Sequence, residues 1–298
     1  MTSTRDRAKD QEALGVPIAN RTDASSDTQA AWDKIAPGYD RTNTPTQMAI
    51  ASEGLRRVGL RSGMSLLDVA AGSGALSIPA ARLGAQVTSI DLSPVMLELL
   101  EARAKRERLV IQTKVMDGQA LEFDDGTFDL VGSQFGVMLF PDLSKGILEM
   151  ARVTKPGGRV LFLAYGNPHE IDFLGFLVLA VRSVRPDFDG PPMDPPPLEF
   201  RLADPETLRA ELSSAGLKSA TVETVTETTR FESGQDLWEW ILWSNPIVEK
   251  ILRGMLNLTN EERETVRQTL ETLVQTRAGG GHFATLSNPV NIGIATKG

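Results

Sequence analysis

The stretch "LLDVAAGSGALSIPAARLG", residues 66 to 84, runs from an apolar segment through a loop of small residues into a helix-like pattern. A strand that ends in a glycine-rich turn and feeds a helix carries backbone N–H groups and a helix N-terminus to the carboxyl edge of a parallel sheet. Nucleotide-like ligands bind at that edge, so the loop is expected to hold one. Around it, from Ser65 to Tyr165, strand-like and helix-like segments alternate at the spacing of βαβ units. The strand candidates are "SLLDVA", "QVTSI", "LVIQTKVM", "FDLVGSQF" and "GRVLFLAY", with helices over residues 75 to 83, 94 to 106 and 142 to 153. Ser93 is placed to cap the second helix and Pro94 to open it. The turn "KPGG" at 155 to 158 stops the third helix and launches the next strand.

Beyond Tyr165 the alternation breaks. The apolar run "FLGFLVLAV", bounded by Asp172 and Arg182, is followed by the proline-rich "RPDFDGPPMDPPPLEF". A capped helix "DPETLRAELSSAGL", a long strand "SATVETVTETTRF", a largely helical stretch over 235 to 277 and a last strand "NPVNIGIAT" follow. Residues 1 to 28 are polar and without sustained periodicity, and read as a disordered tail. Residues 29 to 298 read as a single domain, with cap insertions at about 166 to 203 and 232 to 286.

Composition narrows the function classes. The formal net charge is −8 and no Lys/Arg cluster stands out, which argues against a nucleic-acid partner. No window approaches the roughly 20 apolar residues of a membrane span, so no stable membrane insertion is expected and the chain is placed in the cytoplasm. There is no cysteine, which excludes a thiol nucleophile and thiolate metal sites. Neither of the two histidines has a metal-ligand partner at suitable spacing, and no metal is expected.

Three ligands compete for the loop: an NTP, a dinucleotide and S-adenosylmethionine. "AAGSGALS" lacks the lysine of a P-loop. The dinucleotide fingerprint fits Gly72 and Gly74, but its third glycine falls on Ser77. Asp91 ends the second strand, where a carboxylate accepts hydrogen bonds from ribose hydroxyls of either remaining ligand.

The elements "LLDVAAGSG", "VTSIDLSPVML", "VMDGQALEFDDGTFDLVGSQFGVMLFPD" and "LEMARVTKPGGRVLF" stand in the order and spacing of the class I S-adenosylmethionine-dependent methyltransferases. The chain resembles that family, nearest the ubiquinone and menaquinone C-methyltransferases and their small-molecule relatives, most fully over residues 30 to 165. The resemblance implies a Rossmann-like α/β fold: a mostly parallel seven-stranded sheet, helices on both faces and an inserted helical cap. It implies S-adenosyl-L-methionine as cofactor and S-adenosyl-L-homocysteine as product. By position, Asp68, Gly72 and Gly74 would surround the methionine part and Asp91 would hold the ribose. Leu92 and Met96 would pack near the adenine, and Asp117 would receive its amino group with Gly118 and Gln119 alongside. Ser133, Gln134 and Phe135 would lie near the sulfonium, and Tyr39 would close over the cofactor. Ala70 stands where many members have a glycine; alanine is disfavoured at positive φ, so an ordinary negative φ is expected there.

The expected reaction is methyl transfer to an O, N or C nucleophile of a small, apolar or aromatic metabolite. Phe173, Trp240 and Trp243 are candidate walls of its pocket. His169 is the candidate general base and also a pocket candidate, set against a solvent-exposed loop role. Trp240 and Trp243, three residues apart, would serve a helix core equally well. Two alternatives stand beside this reading. One is a nicotinamide-dependent reductase, opposed by Ser77 and the lack of a Tyr-x-x-x-Lys pair; the other is a non-catalytic S-adenosylmethionine-binding regulatory protein. Acceptor identity and oligomeric state are not set by the sequence.

Overall fold

The computed structural model describes residues 21–191, 193–246 and 258–298. A long helix α1 (Arg21–Val58) leads into β1 (Ser65–Val69), α2 (Ser77–Arg82), β2 (Gln86–Asp91), α3 (Pro94–Glu107) and β3 (Ile111–Val115). Next come β4 (Phe128–Gln134), α4 (Leu143–Val153), β5 (Thr154–Tyr165), α5 (Asp172–Arg182) and α6 (Pro205–Ser214). The chain ends with β6 (Leu217–Phe231), α7 (Gly234–Ser244), α8 (Asn260–Ala278) and β7 (Ala284–Lys297). Of the stretch read as a tail, residues 1–20 lie outside the described residues and 21–28 form the first turns of α1.

The seven strands form one sheet in the order β3-β2-β1-β4-β5-β7-β6. Pairing is parallel from β3 through β5, while β7 runs antiparallel to both β5 and β6. This is the mostly parallel, seven-stranded α/β sheet the resemblance implies. The central strands are apolar because helices cover both faces: Leu66, Leu67, Val69, Leu130, Val131, Val160 and Leu161 are all fully buried. The "KPGG" turn is taken into the start of β5 as a bulge. Phe128 pairs with Thr154 and Leu130 with Arg159, so the intervening residues loop out with Gly157 at φ +75°.

Helix entries follow their capping residues. Ser93 accepts from the Met96 N–H at 3.1 Å with Pro94 opening α3. Asp204 accepts from Glu206 and Thr207 ahead of α6, again with proline at the first position. Each such cap contributes about 1 kcal/mol.

Beyond the sheet's main core, α5, α7 and α8 pack around a second apolar cluster that includes Phe176, Val181, Phe231, Leu237, Trp240, Ile241, Val266 and Leu270. Helix α1 reaches across to this cluster. Its Asn43 donates to the Trp240 carbonyl at 3.1 Å, and Trp240 Nε1 donates to Thr46 Oγ1 at 3.0 Å. The Trp243 ring lies so close over Gly38 that a Cβ there would overlap it, which is why α1 carries a glycine in mid-helix. No helix among the described residues is long and apolar enough to cross a membrane.

Candidate active site

Strand order reverses between β1 and β4, and the loops leaving their carboxyl ends open a crevice at that switch point. Two departures from ordinary backbone shape it. Ala70 has φ +57° and Phe135 has φ +55°, both left-handed. The negative φ expected at Ala70 is therefore corrected. Ala71 N–H donates to the Ile90 carbonyl at 2.9 Å and Gly74 N–H to the Ala71 carbonyl at 3.0 Å, so the chain turns sharply between those anchors. The Ala70 side chain lies against Gly136, where a Cβ would come within 2.5 Å of the Ala70 Cβ. A left-handed alanine costs about 1–2 kcal/mol, which the anchored loop offsets.

The crevice is a cavity of about 750 Å³ including its open mouth. Asp91 forms one side: its Oδ2 accepts from the Gly72 N–H at 2.8 Å and its Oδ1 from the Ser93 N–H at 2.9 Å. Burial raises the Asp91 pKa, opposed by those two backbone donors. Tyr39 of α1 faces the same space, its hydroxyl donating to Gln47 Oε1 at 2.9 Å and its ring set edge-on to Trp32 at 6.0 Å. Burial also pushes the Tyr39 pKa up, so the phenol stays protonated.

A second cavity of about 1050 Å³, again including its opening, adjoins the first. Trp32, Tyr39, Phe135 and Leu139 line both. Its further walls are mostly apolar: Tyr165 at the end of β5, Phe173, Leu174, Leu177 and Val178 of α5, and Phe188 and Phe200 of the proline-rich segment. Phe135 stacks on Tyr165 at 4.5 Å, and Tyr165 meets Phe173 at 6.0 Å.

Residues 67–162 match a family described as a methyltransferase domain. The span contains both left-handed corners, Asp91 and the turn after β3. A protein of Mycobacterium tuberculosis is 36% identical over 182 residues, covering 61% of this chain and 64% of that protein. The demethylmenaquinone methyltransferase of Renibacterium salmoninarum is 38% identical over 143 residues, covering 47% and 59%. The chain thus spans less than two thirds of the length of these relatives. Among solved structures, the YcgJ protein of Bacillus subtilis superposes with a TM-score of 0.51 at 18% identity, covering 84% of this chain and 97% of that one. A phosphoethanolamine N-methyltransferase of Haemonchus contortus, solved with S-adenosylhomocysteine, gives 0.50 at 21% identity, covering 84% and 52%. At those identities the superpositions speak for the fold, which is that of class I methyltransferases.

Within residues 67–162 and the α1 segment before them, the structure sorts the sequence-predicted residues. Tyr39, Ala70, Gly72, Asp91, Leu92, Met96, Gly118, Gln119, Gln134 and Phe135 line the first cavity. Asp68, Gly74, Asp117 and Ser133 do not. Asp68 is buried and accepts from Ser77 Oγ at 2.5 Å, and desolvation pushes its pKa up to about 7. Ser133 Oγ donates to the Val69 carbonyl at 2.8 Å, tying β4 to β1. Asp117 accepts from the Gln119 N–H at 2.9 Å and so shapes the turn that presents Gly118 and Gln119. These are supports of the cavity rather than its surface.

The pocket candidates divide differently. Phe173 lines the second cavity, whereas Trp240 stands behind it, 4.9 Å from its ring and almost fully buried. Trp243 packs on Gly38. His169 is exposed on the turn Pro168–Glu170 and lines neither cavity; the candidate base is therefore corrected, because the turn carries it to solvent. His282 is likewise exposed. Sequence reasoning missed Trp32 and Leu139 in the shared wall, Met116 and Phe140 in the first cavity, and Tyr165 and Glu199 in the second. Trp32, seven residues before Tyr39 and thus two helical turns away on one face, carried a legible signal. Thr28, from the stretch read as tail, lines the first cavity.

Proposed function

We propose that the chain is an S-adenosylmethionine-dependent methyltransferase acting on a small, apolar or aromatic acceptor. The observation that carries this reading is the pair of adjoining cavities with one wall in common: a crevice at the switch point that presents Asp91 and the glycine loop, and a more apolar chamber next to it. The donor set of the crevice fits the cofactor. Gly72 lets the backbone come close, Asp91 offers carboxylate oxygens to ribose hydroxyls, Leu92, Met96 and Met116 provide an apolar bed for a base, and Gly118 and Gln119 edge it. Once bound, the cofactor supplies a methyl group on a sulfonium, already a good leaving group. The protein's contribution is then to align donor and acceptor and exclude water, and such positioning is worth roughly 7 to 11 kcal/mol. Phe135, held left-handed between the cavities and stacked on Tyr165, fixes that alignment; Trp32 and Tyr39 close the crevice from α1. The nicotinamide reductase reading gains nothing from the structure, since the loop lacks the third glycine and the family matched over residues 67–162 is a methyltransferase domain.

The test is transfer itself. With methyl-labelled S-adenosylmethionine and a panel of phenols, quinols and heteroaromatic amines, label is expected in at least one acceptor together with equimolar S-adenosylhomocysteine. Cofactor binding without transfer to any acceptor class would favour the non-catalytic regulatory reading instead.

A further inference from the structure

Among the described residues lining the apolar chamber, Glu199 is the only carboxylate, and no Lys, Arg or His lines it. It stands in the short turn Leu198–Phe200, inside the proline-rich segment. Its Oε1 accepts from Asn245 Nδ2 at 2.5 Å, while its Oε2 is buried with no hydrogen-bond partner. Arg201, two residues on, spends its guanidinium on the carbonyls of Met138 and Phe140. No ion pair to Glu199 occurs among the described residues, and burial raises its pKa. A buried carboxylate oxygen without a donor is costly, and such groups in native proteins need an explanation.

The surrounding groups suggest what would satisfy it. Tyr165 and Phe200, 6.2 Å apart, and Phe173 form ring walls suited to a planar apolar skeleton. Hydroxyls and ammonium groups differ in how many donors must be met: one against three. Glu199, which lines the chamber, has one orphaned carboxylate oxygen, buried at the chamber wall. We propose that Glu199 determines acceptor specificity, and that the acceptor is an apolar, ring-containing molecule with a phenol-type hydroxyl that donates to Glu199 Oε2. This rests on the reading of the chamber as the acceptor site. A site built to bond a hydroxyl discriminates strongly against the analogue without one, because its own polar group is then left unpaired.

The experiment uses the full chain. Titration with S-adenosylhomocysteine alone reports on the methyltransferase reading. With that ligand saturating, 2-naphthol, 2-methoxynaphthalene and 2-naphthylmethylamine are then titrated calorimetrically into the wild type, Glu199→Leu and Glu199→Gln. The wild type should bind 2-naphthol at least tenfold more tightly than the methyl ether. Glu199→Leu should bind the two within twofold while keeping its affinity for the ether, which shows an intact chamber. Glu199→Gln, retaining an acceptor oxygen, should reduce the preference at least threefold, and it carries the test if the leucine variant does not fold. Equal binding of naphthol and ether by the wild type overturns the proposal, as does an undiminished preference in the variants. Tighter binding of the ammonium probe overturns it in favour of a cationic acceptor. If no probe binds while S-adenosylhomocysteine does, the chamber is not the acceptor site and the proposal falls with the methyltransferase reading intact.

Discussion

Glu227 shows how a single side chain sets a pH limit on this fold. It faces inward from β6 opposite Asn288 of β7, is 7% exposed, and its Oε1 has no hydrogen-bond partner. Burial alone raises its pKa from the ordinary 4.5 to about 7. For a carboxyl raised in the folded state, the stabilising contribution is complete below the unfolded value and is lost as pH rises through the folded one. Stability from this group is therefore present near pH 4 and gone above about pH 7. Asp68, raised to about 7 by its burial, acts in the same direction. Glu227→Gln, nearly isosteric and uncharged, is expected to raise the thermal midpoint at pH 8 and to leave it almost unchanged near pH 4.5. Thermal melts at the two pH values check this; an equal gain at both would contradict the assignment. Asp68 also marks where sequence reading stops at the residue scale. The motif located it at the cofactor end of β1, but whether a strand side chain faces the crevice or the sheet's covered face depends on register and on neighbours such as Ser77 and Ser89, with Ser77 Oγ bonded to Ser89 Oγ at 2.7 Å.

At the scale of elements, α1 forms one side of the first cavity from outside the sheet. It is anchored to α3 and to the loop before it by Arg103 to Asp40 at 2.5 Å and Ser93 Oγ to Asp33 at 2.5 Å, and to the glycine loop by Thr44 and Ser73 hydroxyls at 2.5 Å. Ligand in the crevice would link those anchors, and a ligand at one hundred times its Kd stabilises the bound state by about 2.7 kcal/mol. Amide exchange in residues 28–47 is therefore expected to slow at least tenfold on adding S-adenosylhomocysteine, with little change in β6. Equal slowing in both would indicate global stabilisation rather than closure by α1. The βαβ half of the chain was legible because strand and helix periods alternate cleanly from Ser65 to Tyr165 and because Ser93, Pro94 and Gly157 mark the boundaries. Helix α1 was not, since Pro37 and Pro45 interrupt its sequence as helix breakers would. Its support is tertiary, from contacts such as Asn43 to Trp240, and local pattern does not report those. The roles of Trp240 and Trp243 were hidden for the same reason: helical spacing places both on one face without saying that Phe173 stands between Trp240 and the chamber.

Over the whole molecule, the segments that follow β5 and β6 act together. Helix α5, the proline-rich segment and the end of α7 line the apolar chamber, and α8 packs against both α5 and α7. The sheet fixes the crevice, α1 spans both cavities, and Trp32, Tyr39, Phe135 and Leu139 form the wall the two cavities share. That arrangement has function only if the crevice selects an S-adenosyl ligand through Asp91. Calorimetric titration of the wild type and Asp91→Ala with S-adenosylmethionine, S-adenosylhomocysteine and NADH tests this most directly. The account predicts binding of both sulfur ligands, none of NADH, and a loss in the variant of at least tenfold, about 1.4 kcal/mol. Binding of NADH alone, or unchanged affinity in Asp91→Ala, would contradict it.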